Sequence, residues 1–309
     1  MRAIAEAPAK VIITGEHFVV HGAWALAAAI PKKVRVEVQE GSSLKVASDA
    51  FTGAGNPALK PVGEVVEAMS KEFSFHPAVN VSIKSSIPGG AGLGSSAATM
   101  VALVSALSKL HSLRLGLHGI VDASMIGERR IHGRPSGIDS TTCARGGVIL
   151  FRPGSAPRPV RFQGTRSLVV SFSGKKRSTK RQINRVSQVK TRHPGIFSGL
   201  TESASAVSMM AAGKLARNDL SGLGNLLNFN HAVLSTLGVS DPTLDRLVEA
   251  CLSLGCYGAK LTGAGGGGSV VSIAPEGKEK SIISGLRARG FETFGAKVPV
   301  QGVRSWLEQ

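Results

Sequence analysis

Apolar and polar residues alternate over short runs in the first half of the chain, and glycine-rich turns separate these runs. Val34–Val38 shows the pattern most clearly, because charged side chains occupy every second position between its valines. A period of two residues predicts β-strands with one buried face. The predicted strands of this part are Val11–Thr14, Val34–Val38, Leu44–Ala47 and Val79–Lys84.

Two helical patterns follow, over Ser95–His111 and Leu117–Arg130. Apolar residues in the first recur at helical spacing, which gives that helix one apolar face. A predicted strand at Gly147–Phe151 closes this half of the chain. The next stretch, Arg152–Gly164, has three prolines and few long apolar runs, so we expect it to connect two domains.

The second half begins with an apolar run and then becomes rich in helices. Its predicted elements are a strand at Ser167–Phe172, helices between Thr179 and Ser253, strands at Gly258–Leu261 and Gly268–Ile273, a helix near Lys278–Arg289 and a strand near Glu292–Val298. Strands on either side of a helical block predict an α+β domain with helices on one face of a sheet. We therefore expect an N-terminal domain of residues 1–164 and a C-terminal domain of residues 165–309.

The composition predicts a folded protein of the cytoplasm. Of 309 residues, 42% are hydrophobic and 18% are charged, which is enough apolar material for a core. The longest apolar stretches, Ala23–Ile30 and Ala97–Leu107, fall short of the roughly 20 residues that cross a bilayer. We expect no membrane association and no secretory signal. Three cysteines without metal-ligand spacing suit a reducing compartment.

The charge of the chain is strongly positive, with 37 Lys and Arg against 20 Asp and Glu, a net charge of +17. Such a balance attracts polyanions, either nucleic acid or a phosphorylated small molecule, but it is equally compatible with a solvated basic surface. The basic residues are densest in Gly174–His193, where no aromatic residue is interleaved. Binding to single-stranded nucleic acid uses aromatic stacking, so we do not expect a nucleic-acid partner.

A glycine-rich loop lies between the predicted strand at Val79–Ser86 and the helix that begins near Ala97. Glycines allow the backbone to approach a ligand, and N–H groups at a helix N-terminus bind phosphate. The loop lacks the Gly-Lys-Ser/Thr triplet of a Walker A motif, and Ser95 replaces the third glycine of a dinucleotide loop. It predicts a phosphate site, with a structural turn and serine cap as the alternative. The residues concerned are Pro88, Gly89, Gly90, Ala91, Gly92, Leu93, Gly94, Ser95 and Ser96.

A second glycine run, Gly263–Gly268, matches the G-x-G-x-x-G pattern. A dinucleotide loop would open a helix, whereas a predicted strand follows here, so we reject that interpretation. The run is either a structural connection between two strands or a backbone that contacts a ligand. The neighbouring Lys260 and Thr262 favour ligand contact.

Three segments together resemble the GHMP family of small-molecule kinases. They are Pro8-Ala9-Lys10 through Gly22, the loop at 88–96, and Lys260–Gly268, and they span nearly the whole chain. The resemblance implies an α+β fold of two domains, the first like domain 2 of ribosomal protein S5 and the second ferredoxin-like, with the active site in the cleft between them.

Within the family, Gly15–Gly22 and Glu128–Asp139 are similar to the motifs of its mevalonate kinase branch. One departure is His21, where many members have tyrosine. The resemblance implies transfer of the ATP γ-phosphoryl group to the primary hydroxyl of mevalonate, with Mg²⁺ and a homodimer. The alternatives are another GHMP kinase, such as a phosphomevalonate kinase, or a basic nucleic-acid-binding protein on a kinase fold.

The resemblance also implies roles for individual residues. Asp139 would be the catalytic base, and Lys10 would keep it ionised. Ser96 and Glu128 would bind Mg²⁺. The residues implied at the substrate are Glu16, His17, Thr179, Gly263 and Ala264.

Overall fold

The computed structural model describes residues 1–50, 56–162, 164, 166–175 and 179–308. Two β-sheets form the framework of the described residues. The strands, in chain order, are β1 (Arg2–Thr14), β2 (Ala25–Glu40), β3 (Lys45–Ser48), β4 (Val79–Ser85), β5 (Val148–Phe151), β6 (Arg158–Pro159), β7 (Arg166–Phe172), β8 (Gly258–Thr262), β9 (Ser269–Ile273), β10 (Glu292–Val298) and β11 (Arg304–Glu308).

Helices cover these sheets. They are α1 (Lys60–Phe73), α2 (Ser95–Leu110), α3 (Leu117–His132), α4 (Ile138–Arg145), α5 (Thr179–Arg192), α6 (Pro194–Ala216), α7 (Leu220–Thr236), α8 (Pro242–Ser253) and α9 (Glu279–Ala288). In the described residues, no helix combines the length and apolar character that crossing a membrane requires.

The first sheet has the strand order β11-β1-β2-β4-β3, and β5 pairs with the first part of β2. Neighbouring strands are antiparallel except β3 and β4. β1 is buried along almost its whole length because it lies between two strands and beneath α2. α2 is correspondingly apolar, and nearly all of its residues from Ala97 to Ser108 are buried. This packing fixes the start of α2 over the middle of β1.

The sequence correctly predicts α2 and α3, but it did not predict α1 or α4. In α1, Val62, Val65, Val66 and Met69 form a buried apolar face, a spacing that indicates a helix. α4 begins after Gly137, whose φ of 89° belongs to the left-handed region. The sequence suggests only a turn before Asp139, and the structure extends that turn into a helix.

The second sheet is antiparallel with the order β10-β7-β9-β8. α7 and α8 pack on β8, while α9 packs on β10. α6 packs on α7 and also reaches β1 and β2 of the first sheet. The two halves of the molecule are therefore joined by packing as well as by the chain.

The end of the chain returns to the first sheet. β11 pairs with the outer side of β1, with Ala3 opposite Leu307. A boundary at residue 164 therefore does not account for residues 304–308. The expected connection at Arg152–Gly164 likewise includes β6, which pairs with β5 in the first sheet.

Candidate active site

The glycine loop at 88–96 lies between β4 and α2 and rests on β1. Gly90, Gly92 and Gly94 have φ angles of 74°, 83° and 77°, a region that favours glycine. The backbone N–H of Lys10 donates to the carbonyl of Leu93 at 2.9 Å. α2 begins directly after Gly94, so the N–H groups of its first turn lack partners within the helix and are available to an anion.

Gly94 is the position in this loop where the absence of a side chain matters most. A Cβ built there would lie 2.8 Å from both Cγ and Cε of Lys10. We expect Gly94→Ala to lower kcat/KM for ATP by about tenfold or more, because the loop or Lys10 must move and the left-handed φ is strained. Steady-state kinetics at varied ATP would measure this.

Gly89→Ala is the matched control in the same loop, since a Cβ there would meet nothing within 4 Å. We expect it to cost clearly less than Gly94→Ala. Equal losses for the two variants would contradict the contact between Gly94 and Lys10 as the cause.

Lys10 and Asp139 form an ion pair next to this loop. Lys10 lies within β1, and Asp139 lies in the first turn of α4. The Lys10 Nζ is 2.9 Å from Asp139 Oδ1, and the two side chains are 1% and 30% exposed. The buried cation therefore holds a carboxylate that solvent or a substrate can reach. A carboxylate in a helix first turn also interacts favourably with the helix dipole.

Ser96 and Glu128 meet on the other side of the loop. Glu128 is on α3 and is 2% exposed. The pKa of its carboxyl is raised to about 7, mainly by burial and also by the charge of Asp139, while a hydrogen bond from Ser96 and the charge of Lys10 act in the opposite direction. Within the described residues, Glu128 Oε1 is buried and has no hydrogen-bond donor. A buried carboxylate oxygen of this kind fits a cation.

The structure adds His132 to this group. His132 Nε2 lies 3.3 Å from Ser96 Oγ and 3.9 Å from Glu128 Oε2. Its position one helical turn after Glu128 is the signal in the sequence that could have indicated it. No cluster of three or more His, Cys, Asp or Glu in the described ranges is arranged to bind a metal. Mg²⁺ commonly takes only one or two protein ligands beside phosphate and water, which Glu128 and Ser96 could provide.

The β8–β9 segment faces the glycine loop from the second half of the molecule. Ser269 Oγ donates to the carbonyl of Ala91 at 2.9 Å. Thr262 Oγ1 accepts from the Ile12 N–H at 3.0 Å and donates to its carbonyl at 2.9 Å. The sequence favours ligand contact for Thr262, whereas the structure uses its hydroxyl to join β1 and β8. The three segments singled out in the sequence therefore meet in space.

Two of the predicted substrate residues are in contact. His17 Nε2 lies 2.9 Å from the carbonyl oxygen of Ala264. His17 has a φ of 64°, which is uncommon for a residue other than glycine. Gly263 precedes Ala264 with a φ of 84°. His17 of the first half of the molecule therefore lies next to Gly263 and Ala264 of the second half.

Glu16 is buried behind this contact. It is 1% exposed, and its Oε1 accepts a hydrogen bond from Lys260. Lys260 is fully buried. Its ammonium group donates to Glu16 Oε1 and to the carbonyl of Leu261, partners that the sequence does not indicate.

Thr179 is the first residue of α5. This helix packs against the second glycine run, because Gln182 is buried and its Nε2 lies against Gly266. Lys175, before the helix, accepts a backbone hydrogen bond from Gly268 at 2.8 Å. Residues 176–178 of the basic stretch lie outside the described residues.

Comparison with known proteins identifies the family. The chain matches the family models "GHMP kinases N terminal domain" over residues 60–147 and "GHMP kinases C terminal" over residues 211–292. It is 34% identical to the mevalonate kinase of Aeropyrum pernix, over 97% of each chain. It is 35% identical to that of Thermococcus sibiricus, over 98% of each. The chain belongs to the GHMP kinases, and within them to the mevalonate kinases. This confirms the resemblance seen in the sequence motifs.

Solved structures confirm the fold of this kinase. Mevalonate kinase of L. major in complex with R-mevalonate matches with a TM-score of 0.83 at 30% identity, covering 96% of both chains. A phosphomevalonate kinase from Streptococcus pneumoniae has a TM-score of 0.82 at 18% identity, a likeness that speaks for the fold alone. The two-domain GHMP fold of α+β type is therefore confirmed.

Proposed function

We propose that this kinase transfers the γ-phosphoryl group of ATP to the primary hydroxyl of (R)-mevalonate, giving 5-phosphomevalonate and ADP for isoprenoid biosynthesis. The Lys10–Asp139 pair carries the proposal, because it joins a buried cation and a reachable carboxylate at 2.9 Å beside the phosphate loop. Membership among the mevalonate kinases supports mevalonate as the acceptor. The L. major relative, whose structure contains R-mevalonate, supports the same substrate.

In this mechanism Asp139 accepts the proton of the substrate hydroxyl as its oxygen attacks the γ-phosphorus. The bond from that phosphorus to the bridging oxygen breaks, and ADP leaves with the electron pair. Phosphoryl transfer depends mainly on alignment and on neutralising oxygen charge, which suits the ammonium of Lys10 and the N–H groups at the start of α2. Lys10 also keeps Asp139 oriented toward the loop.

Glu128 and Ser96 would bind Mg²⁺ in the proposed site. The ion would supply positive charge to the phosphate oxygens of ATP. Two observations support these ligands: Glu128 Oε1 has no hydrogen-bond donor among the described residues, and the Glu128 carboxyl accepts a hydrogen bond from Ser96. The remaining ATP contacts are assigned to the loop from Pro88 to Ser96.

Substrate contacts are assigned to His17, Thr179, Gly263 and Ala264. The His17–Ala264 contact supports a shared wall for the acid substrate. Thr179, at the N-terminal end of α5, is assigned to the same region because this helix packs on Gly266. Glu16, which precedes His17 and accepts a hydrogen bond from Lys260, is assigned to the same region.

A coupled ADP-release assay with four acceptors tests the proposal. Purified kinase with Mg²⁺ and ATP is given mevalonate, phosphomevalonate, homoserine or galactose at matched concentrations. We expect kcat/KM to be highest for mevalonate by at least about a hundredfold, because a site built for one polar acceptor leaves its buried groups unpaired with another. A higher value for phosphomevalonate would assign the chain to that reaction instead.

The homodimer and the cytoplasmic location stay predictions. Light scattering of the purified kinase would measure the first, and fractionation of the source cells would measure the second. Nucleic acid is not part of the proposed function. Salt-dependent retention on DNA or RNA, without ADP release on any acceptor, would favour the alternative of a basic nucleic-acid-binding protein.

A further inference from the structure

The glycine loop at 88–96 is held by hydrogen bonds from both halves of the molecule. From the first half, the backbone N–H of Lys10 in β1 donates to the carbonyl of Leu93 at 2.9 Å. From the second half, Ser269 Oγ donates to the carbonyl of Ala91 at 2.9 Å. Ala91 and Ser269 are both fully buried, so water does not replace either partner of this second bond. The proposed function gives no role to Ser269.

Ser269 lies in a firmly held part of the second sheet. It is the first residue of β9, the strand between β7 and β8. The preceding Gly268 is tied on both sides, since its carbonyl accepts from the Ser173 N–H at 2.9 Å and its N–H donates to the Lys175 carbonyl at 2.8 Å. A side chain on a strand is held more precisely than one on a loop. The Ser269 hydroxyl is therefore a fixed donor against which the glycine loop is placed.

The bond to Ala91 fixes the orientation of one peptide group in the loop. A peptide group is planar and trans, so the Ala91 carbonyl and the Gly92 N–H point in opposite directions. Gly90 and Gly92, on either side of Ala91, have φ angles of 74° and 83°. Glycine adopts positive and negative φ about equally well, so this peptide group needs an outside partner to keep one orientation. Ser269 provides that partner.

Turning this peptide group over would replace a donor by an acceptor on the surface of the loop. In the described ranges, the Gly92 N–H donates to no backbone carbonyl, which leaves it available to an anion. After a turn, the Ala91 carbonyl oxygen would take its place and repel a phosphate oxygen. Loss of the Ser269 hydroxyl favours the turn, because it leaves a buried carbonyl without its donor in the present orientation.

We propose that Ser269 is a positioning residue for ATP, which holds the Ala91–Gly92 peptide group so that the Gly92 N–H faces the phosphates. This inference rests on the proposed function, because that function assigns the glycine loop at 88–96 to ATP. It also gives the second half of the molecule a part in nucleotide binding, since the donor comes from β9. Ser269 itself acts only through the loop.

The experiment compares Ser269→Ala with wild type by calorimetry of ATP binding, with Mg²⁺ and without an acceptor. We expect the Kd for ATP to rise about tenfold, the size of effect of leaving one buried acceptor without its donor. Steady-state kinetics should show the same rise in the KM for ATP, while the KM for mevalonate stays within about threefold of wild type. A merely structural hydroxyl would not distinguish the two substrates.

Two other buried hydroxyls of the β8–β9 segment provide matched controls. Ser272, also in β9, contacts the Val169 carbonyl of the second sheet at 3.5 Å, so Ser272→Ala removes a hydroxyl away from the loop. Thr262→Val removes a contact between the two halves, because Thr262 bonds to Ile12 of β1. Both controls should keep the Kd for ATP within about threefold of wild type. Thermal unfolding of every variant separates loss of structure from loss of binding.

A Kd for ATP within about threefold of wild type in Ser269→Ala would overturn the inference. An equal rise of the Kd in either control would overturn it too, since the peptide group would then not be the cause. If Ser269→Ala does not fold, Ser269→Cys takes its place, because a thiol fills the site with only a weak donor. A wild type that binds ATP but releases no ADP with mevalonate contradicts the proposed function and leaves this test intact.

Discussion

Replacing Asp139 with asparagine is expected to lower turnover by at least about a hundredfold while folding and ATP binding stay largely intact. Loss of a general base typically costs 10²- to 10⁴-fold, or roughly 3 to 5 kcal/mol of transition-state stabilisation. Asparagine keeps the shape of the side chain and an oxygen that can accept from Lys10 Nζ, now 2.9 Å from Asp139 Oδ1. It cannot accept the proton of the substrate hydroxyl.

The measurement is kcat at saturating substrates, together with ADP binding by calorimetry and thermal unfolding. Asp122→Asn is the matched control, because Asp122 lies on the same half of the molecule with its side chain 62% exposed. A structural salt bridge between Lys10 and Asp139 would instead predict that Asp139→Asn mainly lowers the unfolding temperature. Turnover near that of wild type would contradict the assignment of Asp139 as the base.

Local sequence patterns were sufficient for much of the fold because they depend on near neighbours. The apolar face of α2 and the alternation in Val34–Val38 each predict an element that the structure confirms. The apolar face of α1 has the same kind of signal, but the short β-like runs around it obscure that signal. β11 could not be predicted this way, because its pairing with β1 joins residues about 300 positions apart.

The candidate site likewise combines features that local patterns predict with contacts between distant residues that they do not. The glycine loop is indicated by its own residues, and the Lys10–Asp139 pair is implied by family motifs whose positions span nearly the whole chain. The partner of Lys260 is not indicated by the sequence, because a lysine beside a glycine run usually extends into solvent or toward an anion. A buried lysine needs a charged partner, and Glu16, 244 positions earlier in the chain, is that partner. Such a pairing follows from the packing of β1 against β8, and no local pattern encodes it.

Glu128 is where the proposed function conflicts with stability. The pKa of its carboxyl rises from an ordinary value of 4.5 to about 7 on folding, mainly through burial. Between these two pH values the folded protein binds more protons than the unfolded chain. Glu128 therefore lowers the free energy of unfolding of the metal-free protein by about 3 kcal/mol as pH rises from about 4.5 to 7. Its contribution to stability is fully present only below the pKa of the unfolded chain.

Glu128→Gln is expected to remove this loss of stability at higher pH and to impair the use of Mg²⁺ at the same time. At pH 8 the metal-free variant should be more stable than wild type by up to about 3 kcal/mol, because a neutral amide avoids burying the charge. At pH 4.5 the two should differ little. The Mg²⁺ concentration for half-maximal activity should rise about tenfold or more, since the variant has lost the only charged ligand of the proposed site.

Denaturant unfolding across pH, with a chelator present, and Mg²⁺ titration of activity measure the two effects. Glu72→Gln, which neutralises an exposed acid on α1, is the control and should leave both curves as in wild type. A more stable metal-free variant together with a higher Mg²⁺ requirement distinguishes a metal ligand from a structural carboxylate. A structural Glu128, held by Ser96 and paired with His132, would predict a less stable variant and an unchanged Mg²⁺ titration, and that result would contradict its assignment as a ligand.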